Sequence, residues 1–146
     1  KQYSIIQGGD GGMEYPMCTL ITSEGKFTSL VSVTIHESIH SWFQGVLATN
    51  EAKHEWMDEG FCTFAQYRTM NHVYNKKSLN PLARTYGSYF RLVKSGVQEP
   101  LTTHADFYNL NYAYSVNAYN KGAILLNQLG YIIGEEKLIE IGRAHV

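Results

Sequence analysis

The chain has 146 residues, 44% of them apolar and 17% charged, with a formal net charge of −1. That length and apolar content suffice for one packed domain and exclude a disordered chain. The near-neutral charge gives no electrostatic basis for binding nucleic acid or a membrane surface, and no apolar run approaches the roughly 20 residues of a membrane span.

Residues 1–6 are short and partly β-branched, the pattern of a strand end. Gln7-Gly8-Gly9-Asp10-Gly11-Gly12 holds four glycines, so it is expected to form no regular element and to let backbone approach a ligand closely. It is not a phosphate loop, because no Lys-Ser/Thr pair and no helix pattern follow it. Residues 17–22 alternate apolar and β-branched side chains as a strand does, and residues 23–26 read as a turn. The chain begins at Lys1 without a signal peptide, which implies a natural N-terminus elsewhere and leaves the compartment unread. Cys18 and Cys62 make at most one bridge and lack metal-pair spacing, so they leave the redox setting open as well.

Residues 30–35 favour a strand by propensity alone. They are read instead as the first turns of a helix over 31–46, because His36 and His40 of His36-Glu37-Ser38-Ile39-His40 share one face only on a helix, about 6 Å apart along its axis. Tertiary context overrides a preference of a few tenths of a kcal/mol per residue. Thr28 or Ser29 is the expected cap, and Gly45 falls near the end of the helix. Two imidazoles do not hold a catalytic ion alone. Glu59, eighteen residues beyond His40 in Trp56-Met57-Asp58-Glu59-Gly60-Phe61, can return to that face and leave a fourth tetrahedral position open. Glu37, about 100° round the helix from His36, is free to act as a general base. Zinc follows from the ligand types.

The second helix is expected from Asn50 or Glu51 to about Tyr74, with Trp56, Phe61, Phe64 and Ala65 as its buried face. Cys62, one turn past Glu59, is read as a buried core thiol. Asp58 points away from Glu59 and is read either as a support or cap or as a solvated carboxylate. A third helix over 81–93 takes Ser78 or Asn80 as cap and ends at Ser95-Gly96. Residues 98–115 lack a clean period and read as an ordered loop with a short turn, whose Tyr108, Tyr112 and Tyr114 pack over the site or against a partner domain. Asn117 is expected to cap a fourth helix closed by Gly130, and a last short helix spans 134–141. His54, His72, His104 and His145 have no partner at ligand spacing. Glu14, beside the glycine-rich loop, is either a cleft-end partner for a cationic group such as an α-amine or an ordinary surface acid.

Three separated motifs together resemble the aminopeptidase N family of zinc metallopeptidases, peptidase family M-one. Gly11-Gly12-Met13-Glu14-Tyr15 is similar to that family's Gly-x-Met-Glu-Asn motif, and the histidine pair with Glu59 to its gluzincin HExxH signature. Ala118-Tyr119-Asn120-Lys121-Gly122 is similar to its Tyr-x-Lys-Gly segment. The resemblance implies a mainly α fold with a small N-terminal β element (α+β), a thermolysin-like catalytic domain over 1–146, with the family's flanking N-terminal β and C-terminal helical domains absent. It implies one Zn²⁺ held by His36, His40 and Glu59, with Glu37 as general base. Tyr119 would donate to the oxyanion; Tyr114 is its rival, and Lys121-Gly122 favours Tyr119. Glu14, with Gly11, Gly12 and Met13, would hold the free N-terminus of a peptide substrate. Tyr15 departs from the usual asparagine.

The implied function is zinc-dependent removal of N-terminal residues from peptides. The same site serves an endopeptidase or an epoxide hydrolase, and a non-catalytic scaffold would keep the fold without the reaction. Replacing Glu14 by Ala separates the first readings. Surfaces left by absent domains would favour self-association.

Overall fold

The computed structural model describes residues 2–9, 11–76 and 80–143. Strands β1 (Ser4–Gly8), β2 (Gly12–Met13) and β3 (Cys18–Thr22) form one sheet in the order β1-β3-β2. β1 runs parallel to β3, with Ser4 opposite Cys18, and β2 runs antiparallel to it, with Gly12 opposite Ile21 and Met13 opposite Leu20. The glycine-rich stretch is therefore not wholly irregular: pairing with β3 offsets the entropic cost of its glycines at both ends. Among the described residues β2 is an edge strand of this sheet.

Helix α1 (Phe27–His40) starts ahead of the expected caps Thr28 and Ser29. Its N-cap is Lys26, with no side-chain cap; the Lys26 carbonyl accepts from the backbone N–H of Ser29 and Leu30. The strand-like residues 30–35 lie inside this helix, as the histidine spacing requires. Ser41–Val46 continues as a π-helical turn. There the Leu47 N–H reaches back to Trp42 O, and the Thr49 hydroxyl donates to Phe43 O at 2.5 Å.

Helix α2 (Glu55–Val73) begins later than expected, because Asn50 O accepts from the N–H groups of Lys53 and His54 in a separate turn. Its buried residues are Glu55, Asp58, Gly60, Cys62, Thr63 and Phe64, so of the expected apolar face only Phe64 is buried. Two of the polar residues inside bond to neighbouring elements: Glu55 Oε1 accepts from Ala105 N–H at 3.0 Å, and Asp58 Oδ1 lies 2.7 Å from His40 Nδ1. Helix α3 (Ala83–Ser95) follows a turn in which Asn80 Oδ1 accepts from Leu82 N–H at 3.0 Å; the other expected cap, Ser78, lies outside the described residues. Gly96 ends α3 with φ 72°, the left-handed region glycine tolerates.

The expected loop over 98–115 contains a short 3-10 turn, Ala105–Phe107, and helix α4 (Asn111–Ser115). α4 runs on through a π-helical turn, Val116–Lys121, into α5 (Gly122–Ile133). Asn117 is thus no cap. It is buried inside that turn, where its Nδ2 donates to Glu99 O at 2.9 Å, since the helix had already begun at Asn111. Gly134, not Gly130, ends α5, and α6 (Glu135–Arg143) packs back on it. Two apolar clusters hold the helices together. One joins Phe64, Leu82, Ala123 and Leu138, and the other joins Leu92, Ala113 and Val116 with Tyr108 against it.

Candidate metal centre and active site

α1 and α2 lie antiparallel, with Ser32 against Gln66 near one end and His40 against Asp58 near the other. Between these contacts, α1 turns His36 and His40 toward Glu59 of α2. His36 Nε2 lies 3.0 Å and His40 Nε2 3.5 Å from Glu59 Oε2, and the two Nε2 atoms are 3.2 Å apart. Four ligands at about 2.0–2.1 Å around a tetrahedral ion stand about 3.3 Å from one another, so this triangle has the size such an ion needs. The donor set fits as well: two imidazole nitrogens and one carboxylate oxygen suit zinc.

Electrostatics point the same way. Burial alone would lower the His40 pKa, but its hydrogen bonds to Asp58, Cys62 and Glu59 outweigh it and hold the ring far above its ordinary range. Burial would raise Glu59, yet hydrogen bonds from His36 and His40 bring it down to about 2. Glu59 therefore stays a carboxylate beside both imidazoles, a charge that suits a bound cation. His40 is 1% and Asp58 4% exposed, and His40 Nδ1 lies 2.7 Å from Asp58 Oδ1, which turns Nε2 toward the centre. Asp58 is thus no solvated carboxylate. Cys62 is fully buried, as expected of a core thiol, and burial pushes it up to about 12.

Glu37 points into the same cleft. Burial raises its carboxyl to about 7, with the charges of His36 and His40 pulling against that shift. A carboxyl tuned near neutrality is suited to general-base work. Gly12 lies against it: a β-carbon there would collide with the Glu37 carboxylate and sit 2.9 Å from Val33 Cγ2. Glu14 brings a carboxylate oxygen within 4.8 Å of polar atoms of Glu37 and His40. Gly11, Gly12, Met13 and Glu14 all line a cleft of about 930 Å³ that extends past His36 and Tyr119 to Lys76 and Arg84.

Tyr119 comes from the π-helical turn. Its ring stacks on His36 with centroids 5.9 Å apart, and its hydroxyl donates to Glu59 Oε1 at 2.8 Å, the carboxylate oxygen turned away from the imidazoles. Burial and the nearby Glu59 charge raise its pKa, so it keeps its proton and remains a donor. Tyr114 lines the same cleft and packs edge-on against Tyr108. Lys121 of the same segment turns elsewhere, donating to Glu99 O at 3.2 Å. His104 accepts from Asp106 N–H at 3.2 Å as a local cap, and His145 lies outside the described residues.

Sequence reasoning missed Gln66, whose Oε1 lies 3.2 Å from His36 Nδ1. Its position, seven residues after Glu59 and so on the same face of α2, was the available signal.

Residues 13–145 match the family model for the peptidase family M1 domain. The chain belongs to peptidase family M1. This M1 chain is 31% identical over 136 residues to aminopeptidase B of Rattus norvegicus, covering 87% of the chain and 21% of that protein. It is 31% identical over 134 residues to leukotriene A-4 hydrolase of Xenopus laevis, covering 85% of the chain and 22% of that protein. Leucine aminopeptidase 2 of Ajellomyces capsulatus is 30% identical over 141 residues, covering 87% of the chain and 22% of that protein. The chain thus spans about a fifth of the length of the curated relatives it matches. An M1 zinc metallopeptidase mutant from Deinococcus radiodurans, solved with a Tyr-Ser-Ala substrate, matches with a TM-score of 0.66 at 21% identity, over 93% of this chain and 29% of that one. That likeness shows the fold, the α+β catalytic-domain fold expected from the motifs. Among the described residues no helix is long and apolar enough to cross a membrane.

Proposed function

We propose that this cleft is the active centre of a zinc-dependent aminopeptidase, with His36, His40 and Glu59 holding one zinc ion. The observation that carries the reading is the convergence of three ligand atoms 3.0–3.5 Å apart beside a buried Glu37 and a nearby Glu14. When bound there, zinc supplies a Lewis acid for a carbonyl oxygen and for water.

Glu37 takes the proton of the attacking water and passes it to the leaving amine, a role its raised pKa suits. Tyr119 releases Glu59 Oε1 and donates to the oxyanion that forms as water adds to the scissile carbonyl. Glu14 pairs with the α-ammonium of the substrate, which fixes the register one residue from the scissile bond. Edge strand β2, whose Gly12 and Met13 line the cleft, offers backbone to an extended peptide.

The test is an aminoacyl-coumarin assay on the full-length, zinc-loaded protein. Free-amine substrates are cleaved and their Nα-acetyl forms are not. Glu37→Gln lowers kcat by about 10²–10⁴-fold, and Glu14→Ala removes the preference for a free amine. Full activity in Glu37→Gln, or equal cleavage of acetylated substrates by the unaltered protein, would overturn the reading.

A further inference from the structure

Zinc binding by His36 requires a defined tautomer, because Nε2 must present its lone pair and the ring proton must then sit on Nδ1. His40 has a carboxylate for that proton, and a carboxylate accepts from either oxygen. His36 does not. Its Nδ1 faces the side-chain amide of Gln66, which is an acceptor at one end and a donor at the other. If the amide were turned over, two N–H groups would oppose each other and His36 would be driven to the wrong tautomer.

One residue prevents this. Gln66 Nε2 lies 2.9 Å from the backbone carbonyl of Ser32 and 2.8 Å from its hydroxyl oxygen. A backbone carbonyl only accepts, so the amide nitrogen must face Ser32 and Oε1 must face His36. Ser32 is one turn before His36 on α1, so the helix that carries the histidine also orients the amide supporting it.

We propose that Gln66, held by Ser32, is a positioning residue that sets the tautomer of His36 and thereby the zinc affinity of the site. The two imidazoles are then supported unequally, His36 by a neutral amide and His40 by an anion. The inference rests on the zinc-site reading above, and it adds that one support of the site is turned the right way by the neighbouring helix, through the Ser32 carbonyl, with the Ser32 hydroxyl adding a second acceptor.

The test reads zinc dissociation constants by competition with a chromophoric chelator, using the full-length protein, alongside thermal melts of the metal-free forms. Gln66→Ala weakens zinc binding by about 10–100-fold. Gln66→Met, which keeps the bulk but lacks the acceptor, does the same, so a packing defect in the alanine variant cannot explain the loss. Ser32→Ala weakens binding by about two- to fivefold, and the double variant Ser32→Ala/Gln66→Ala binds as Gln66→Ala alone does, because Ser32 acts through Gln66. Metal-free melting temperatures of Gln66→Met and Ser32→Ala stay close to that of the parent. Tight zinc binding by the parent with equal affinity in both Gln66 variants, or a double variant losing the product of the two single effects, overturns this inference alone. A parent protein that binds no zinc at this site overturns the zinc reading and this inference with it.

Discussion

Gly60 of α2 and Gly122 at the start of α5 meet backbone to backbone. A β-carbon on Gly60 would lie 2.7 Å from Gly122 Cα, and one on Gly122 would lie 2.8 Å from both Gly60 Cα and Trp56 O. Glu59 immediately precedes Gly60, and Tyr119 lies just ahead of Gly122 in the chain, so this close crossing helps bring the Tyr119 hydroxyl to 2.8 Å from Glu59 Oε1. Both glycines sit in motifs that read as chemistry. Their own part is to let two helices approach.

Gly60→Ala therefore pushes a methyl group against the backbone of Gly122, which no rotamer change relieves. The expected loss is at least about 1–3 kcal/mol of stability, read as a lower urea midpoint with unchanged slope. A midpoint equal to that of the parent would show that the crossing tolerates a methyl group.

Tyr119→Phe removes the hydroxyl while keeping the ring on His36. In the zinc-loaded protein kcat falls by about 10²–10³-fold, the cost of losing one oxyanion donor, while KM changes little. The same loss appearing in Tyr114→Phe and not in Tyr119→Phe would reverse the assignment between the two tyrosines.

Asp58→Ala leaves the buried Nδ1–H of His40 without its acceptor. For the metal-free protein the expected cost is about 3–5 kcal/mol, as for other broken buried pairs, measured by denaturant unfolding in the presence of chelator. An unchanged stability would mean that another group, such as the neighbouring Cys62 thiol, takes over that proton.

Zinc stabilises the folded chain only if it binds the folded form. At zinc about 1,000-fold above its Kd the gain is about 4 kcal/mol, seen as a rise in melting temperature that His36→Ala abolishes. A rise that survives that substitution would locate the metal elsewhere.

Cys62 is fully buried and its thiol is pushed from 9.0 up to about 12, whereas Cys18 is partly accessible. Its folded value exceeds its unfolded one, so the protonated thiol favours the folded state. That stability is present below pH 9 and is lost as pH rises from about 9 toward 12. At pH 8 a thiol reagent should modify Cys18 alone in the native protein and both cysteines in urea. Rapid native labelling of Cys62 would contradict its burial.

Much of the site was legible because its signals are local. Helical spacing places His36 and His40 on one face whatever surrounds them, and the return of Glu59 needs only a second helix. The β-branched run over 30–35 shows where propensity misleads: α1 absorbs it because packing against α2 and the sheet outweighs a small local preference. Asn117 misled for the opposite reason. A capping residue at a plausible position says nothing about whether the preceding chain is already helical, and α4 runs through it.

The sequence by itself determined the candidate ligand residues, their order along the chain and the family, because the imidazole and carboxylate types and the turn-length spacing between them are covalent facts. Tertiary structure alone decided what supports them: the Asp58 and Gln66 contacts, the clasp of Ser32 on the amide, and the glycine crossing beside Tyr119. Those depend on the facing and separation of helices whose contacts are distant in sequence. No local pattern encodes an approach set by how two helices pack.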